Sequence, residues 1–111
     1  MTTSAPDPNV DLVGRRVFTG HHWVEFRSRE TWDLFMFLLA NRTHVVSRPQ
    51  MIAHLWPDPE GRGKSPDARL SQRITLLHGY LRGSPRWRLV THHGRGIQLA
   101  DDWKLASDWE R

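Results

Sequence analysis

The chain has 111 residues, of which 38% are apolar and 25% charged, with no cysteine and a formal net charge of +4 at pH 7. Those figures read as one soluble domain with a single modest core, and they exclude disulfides, thiolate chemistry and cysteine-held zinc. No apolar run reaches the roughly 18 residues of a membrane span, and the polar start "MTTSAPDPNV" lacks a secretory pattern, so a cytoplasmic location is expected.

Residues 1–13, rich in Pro and Thr at their start, are expected to be a disordered segment. "RRVFTGHHWVEF" then predicts two short strands around Thr19-Gly20-His21-His22, since glycine permits the turn and aromatic and β-branched residues flank it. Ser28 is the expected cap of a first helix, with Glu30 in the first turn, where the helix dipole favours an acid. Trp32, Phe35, Met36 and Leu39 recur at i, i+3, i+4 and i+7, which makes that stripe a candidate core face. Ser47 and Pro49 mark the start of a second helix whose apolar face is Met51, Ile52 and Leu55, and Pro57 ends it. "DPEGRGKSPD" reads as a polar loop. A third helix follows with Asp67 as candidate cap. Leu70, Ile74, Leu77 and Leu81 face inward, while Arg69, Gln72, Arg73, Leu76 and, in part, His78 lie opposite. After Gly83-Ser84-Pro85, "RWRLVTHHGRGIQLA" alternates around a glycine-containing turn and predicts a β-hairpin. Trp87, Leu89 and Ile97 or Leu99 would pack inward, and His93-Gly94-Arg95-Gly96 would form the tip. The fold class is therefore α+β, a winged helix-turn-helix over residues 14–100, followed by an acidic tail, 101–111, that carries Trp103, Leu105 and Trp109.

Charge follows the same division. Residues 14–100 hold fourteen bases against six acids, whereas the two flanking segments are each net −2. Fourteen of the sixteen bases in the chain are arginine, whose planar fork suits phosphates and guanine edges better than a lysine ammonium does. Such a concentration points to a polyanionic partner, most simply nucleic acid.

Two alternatives for the histidines and glycines near residue 93 are weaker. The pairs His21-His22 and His92-His93 put neighbouring side chains on opposite faces of a strand, and no cysteine or obvious carboxylate completes a zinc set. A Gly-x-Gly nucleotide loop should open a helix after a strand, and this one joins two strands. A wing tip fits better: the glycines let the backbone turn tightly, and Arg95 between them suits a narrow minor groove. On the third helix, Gln72 matches adenine, Arg69 or Arg73 matches guanine, and Leu76 matches a thymine methyl or another protein. Arg82, Arg86 and Arg88 are read as phosphate contacts or solvated charges. Glu30, Asp33 and the histidines form no recognisable nucleophile–base set, so no enzyme activity and no cofactor are expected.

Four stretches, "VEFRSRETWDLF", "VVSRPQMIAHLW", "LSQRITLLHGYL" and "LVTHHGRGIQL", together resemble the OmpR/PhoB-type winged-helix DNA-binding domain over residues 14–100. The resemblance implies that the third helix lies in the DNA major groove and the hairpin in the adjacent minor groove. It places Arg48, Trp56 and Thr91 at phosphates and Arg69, Gln72, Arg73 and Thr75 on the groove-facing side. His93 falls where the family often has its minor-groove arginine, an insertion that Arg95 could take over. Leu76, His78 and Ile97 depart from the family pattern. The expected protein is a stand-alone bacterial transcription regulator without a receiver domain, with duplex DNA as partner and a homodimer conceivable on it. The loop at 57–67 occupies the place of the family's RNA polymerase contact. The alternative is a winged-helix interaction module that binds another regulator or RNA polymerase through Leu76 and His78.

Overall fold

The computed structural model describes residues 9–42 and 44–101. A small antiparallel sheet opens the fold, with β1 (Val10–Asp11), β2 (Arg16–Phe18) and β3 (Trp23–Glu25) in that order. Three helices follow: α1 (Arg29–Ala40), α2 (Arg48–Leu55) and α3 (Pro66–Leu81), with a 3-10 turn at Pro59–Arg62 between the last two. The hairpin of β4 (Trp87–His92) and β5 (Gly96–Asp101) closes the fold. Contrary to the disorder expected through residue 13, Val10 pairs with Val17 and is buried in the core. Residues 1–8 and the tail beyond Asp101 lie outside the described residues.

The first two helices begin where their caps are written in the sequence. Ser28 Oγ accepts the Thr31 backbone N–H at 3.2 Å. At α2, Ser47 Oγ accepts from the Gln50 backbone while Gln50 Oε1 accepts from the Ser47 backbone, a reciprocal box that ties down two otherwise orphaned amides. The third start differs from expectation. Pro66 occupies the first turn of α3, Ser65 stands at the cap position without a side-chain bond, and Asp67 is already helical. The Asp67 carboxylate is engaged by Arg48 Nε at 3.1 Å instead.

Helix α1 lies at the centre of the core. Thr31, Trp32, Leu34, Phe35, Leu38 and Leu39 are all buried, a wider face than the single stripe predicted, and Met36 is half-buried at its edge. The width follows from packing: α1 meets α2, α3 and β5 on different sides. Leu70, Leu77 and Leu81 of α3 and Met51 of α2 close the core with Trp87, Leu89, Ile97 and Leu99 from the hairpin. Each such side chain contributes about 1.5–3 kcal/mol when fully buried. The N-terminal sheet is tied to the hairpin base by two polar contacts. Trp87 Nε1 donates to the Phe18 carbonyl at 3.1 Å, and Ser84 Oγ donates to the Thr19 carbonyl at 2.5 Å.

Candidate nucleic-acid interface

The hairpin owes its position to a backbone contact. Val46, just before α2, exchanges two hydrogen bonds with Ile97, at 2.8 and 2.9 Å, so that it acts as a short third strand beside β5. Gly96 makes this approach feasible. Its φ is +145°, and a Cβ there would sit 2.0 Å from the Val46 carbonyl oxygen. The wing is thereby laid against the N-terminus of α2, with Thr91 exposed on β4 and His93 and Arg95 exposed at the tip. Gly94, at φ +74°, makes the reversal.

A groove of about 530 Å³ runs between the wing, the start of α2 and one flank of α3; Ser47, Arg48, Ser71, Thr91, His93 and Arg95 are among its lining. Its floor includes a helix N-terminus with no acid in the first turn, which presents partial positive charge. Arg48 is held at the edge of this groove by the Asp67 carboxylate and carbonyl and by Ser71 Oγ. Beside it, the outer side of α3 carries Gln72, Thr75 and Leu76, all exposed, around a shallower hollow of about 460 Å³. Arg88 is exposed on β4.

Three of the residues expected at this interface are placed elsewhere. Arg69 Nη2 donates to Glu30 Oε2, its Nη1 donates to the Gly61 carbonyl at 3.0 Å, and its guanidinium lies 4.3 Å over the Trp56 ring. Arg73 Nη1 donates to Ser28 Oγ at 3.0 Å, and its Nε lies 3.7 Å from Glu30 Oε1. Trp56 is buried and gives its indole N–H to Glu30 Oε2 at 2.8 Å, so its polar edge points into the fold rather than toward a phosphate. Glu30, expected only as a favourable first-turn acid, is thus a hub between α1, the end of α2 and α3. Burial works to raise its pKa. The indole and Arg69 donors, with the charges of Arg69 and Arg73, outweigh burial and hold the carboxyl below its ordinary value. The partners of Glu30 are 26, 39 and 43 residues away along the chain, so no local spacing marks it. The same network fastens the loop after α2, where Arg62 Nε donates to the Trp56 carbonyl at 2.8 Å.

His92 Nε2 lies 3.1 Å from Gln98 Oε1 on the neighbouring strand. Among the described residues, no three His, Asp or Glu side chains are gathered to hold a metal ion, and no helix is long and apolar enough to cross a membrane.

No family model and no curated protein matches the sequence. Solved structures do match the fold. The DNA-binding domain of Klebsiella pneumoniae RstA, solved in complex with the RstA box, superposes with a TM-score of 0.61 at 22% identity, over 82% of this chain and 88% of that one. The fold is a winged helix, shared with that RstA domain. A second match comes from a family of streptococcal redox sensors that evolved from two-component response regulators. It has a TM-score of 0.67 at 18% identity and covers 91% of this chain, which spans 43% of that protein's length. The winged-helix assignment agrees with the element order expected from sequence, with α3 as the third helix of the fold and the β4–β5 hairpin as its wing.

Proposed function

We propose that the chain is a transcription regulator that binds duplex DNA, with α3 in the major groove and the wing in the adjacent minor groove. The supporting observation is the groove between the recognition helix and the wing. A protein that reaches into neighbouring grooves must straddle one sugar–phosphate strand, and this cleft lies where that strand would run. Its lining suits a phosphate: the positive end of the α2 dipole, the hydroxyls of Ser47, Ser71 and Thr91, and the cation of Arg48. Arg95 and His93 stand at the wing tip for the minor groove, Gln72, Thr75 and Leu76 face the bases, and Arg88 supplies a further phosphate contact. The RstA domain's complex with its DNA box supports the same reading by likeness of fold.

The test is fluorescence anisotropy of a labelled random-sequence duplex two helical turns long, titrated across salt concentrations. Affinity should fall with a log–log slope of about −0.9 per phosphate contact. Arg95→Ala should weaken binding by removing the cation at the wing tip. Absence of binding at low salt overturns the proposal.

A further inference from the structure

Helix α3 carries arginines at 69 and 73, four residues apart; Arg73 borders the outer hollow, yet both guanidinium groups are held at the start of α1. Both are turned toward the beginning of α1, where Glu30 receives one and lies beside the other. Arg69 is fixed from three directions, by Glu30, the Gly61 carbonyl and the face of Trp56, and Arg73 is fixed from Ser28 as well. Taking Arg69 out would leave a half-buried carboxylate without its nearest cation. What α3 then exposes is Asp67, Ala68, Ser71, Gln72, Thr75, Leu76, His78 and Gly79, with no arginine among them and the Asp67 carboxylate engaged by Arg48.

The chemistry of the base edges gives this arrangement a consequence. Guanine offers two acceptors in the major groove and is best met by the two-donor fork of an arginine. Adenine offers one acceptor and one donor, the complement of a glutamine amide, and thymine adds a methyl that only an apolar surface rewards. Resting on the duplex reading above, we infer that Glu30 is a specificity-determining residue. It withholds Arg69 and Arg73 from the bases and leaves the helix to read A·T pairs through the Gln72 amide and the methyls of Thr75 and Leu76. Affinity for the backbone then comes from the wing and the α2 side, and sequence preference from a helix face that offers no arginine.

Preference for A·T pairs can also arise in the minor groove from Arg95, so the probe must report on the major groove alone. Duplexes would be selected on the wild-type protein from a pool randomised over two helical turns. The best site would then be remade with 7-deazaadenine for adenine and, separately, with uracil for thymine; both changes leave the minor-groove edges intact. The expected result is enrichment of A·T pairs, with a loss of about 5- to 140-fold on deaza substitution that vanishes in Gln72→Ala. A smaller loss with uracil should vanish in Leu76→Ala. Glu30→Gln should shift selection toward guanine, and that gain should disappear with 7-deazaguanine. Where Glu30→Gln proves unfolded by circular dichroism, the double variant Arg69→Gln/Arg73→Gln serves instead, and the wild-type A·T enrichment should persist in it. Guanine enrichment by the wild type, indifference to both base analogues, or collapse of the preference in the double variant overturns the inference and leaves duplex binding standing. A pool that is not retained at all overturns both.

Discussion

Replacing Gly96 by alanine tests the placement of the wing most directly. A Cβ at this position would lie 2.0 Å from the Val46 carbonyl oxygen, 2.7 Å from the carbonyl carbon and 2.9 Å from Ser47 Cα. All three atoms are backbone, so no side chain can swing aside. Relief requires the strand and the α2 entry to part, which breaks the Val46–Ile97 pair of hydrogen bonds at about 1 kcal/mol each. The φ of +145° adds strain of about 1–3 kcal/mol for any residue with a side chain. The sum is about 3–5 kcal/mol, a large part of the roughly 5–15 kcal/mol that holds a domain together. Urea unfolding should show the midpoint falling with little change in slope, and the melting temperature should drop by at least about 12 °C. Gly94→Ala is the control: its φ is +74°, nothing lies within 4 Å of the added carbon, and the cost should be only about 1–2 kcal/mol. If Gly96→Ala is no more destabilising than Gly94→Ala, the close approach between wing and α2 does not exist as described.

The remaining predictions concern the polar ties. Ser84→Ala removes a hydroxyl that donates to the Thr19 carbonyl and accepts from the Arg86 and Trp87 amides. It should cost about 1–3 kcal/mol in urea unfolding, and an unchanged midpoint would count against the coupling of sheet and hairpin. Trp87→Phe keeps an aromatic ring but orphans the Phe18 carbonyl, so it should cost about 1–3 kcal/mol, against about 3–5 for Trp87→Ala. Equal losses would mean that the indole N–H contributes nothing. Glu30 has a depressed folded-state pKa. Its stabilising contribution is therefore present above the ordinary value of 4.5 and is lost as the pH falls through the folded value. Stability curves of wild type and Glu30→Gln should be furthest apart near neutrality and converge in acid; a gap independent of pH would contradict the ionised hub.

What could be read in the sequence was whatever depends on near neighbours. Ser28 and Ser47 announce helix starts because a cap acts over three residues, and the paired glycines announce a hairpin tip because a turn is local. The inward faces of α3 and the hairpin follow from periodicity, and Leu70, Leu77, Trp87 and Leu99 are buried as expected. Val10 escaped notice because two residues pair as a strand only when β2 is already there to receive them. Asp67 has the chemistry of a cap but is taken by Arg48, 19 residues upstream. Arg69 and Arg73 have the spacing and charge that suit DNA, and Trp56 reads as half core and half phosphate contact. Their actual engagement depends on Glu30, and a carboxylate 39 residues from Arg69 leaves no signature in spacing. Gln72, Thr75, Leu76, His93 and Arg95 stand exposed where they were expected, because each lies on the side that the core does not claim.

The clasp at Gly96 also divides the hairpin into a part that can change in length and a part that cannot. From Ile97 onward, Ile97, Leu99 and Ala100 are buried, and adding one residue there would turn the apolar set out to solvent. Beyond the clasp, His93 to Arg95 overhang the groove and are held only by the turn itself, with the Arg95 amide bonded to the His92 carbonyl. Insertions between those residues would lengthen the finger without disturbing its root. The tip is therefore a replaceable end on a fixed stalk, a place where this domain could acquire a different reach while its core and α3 stay as they are.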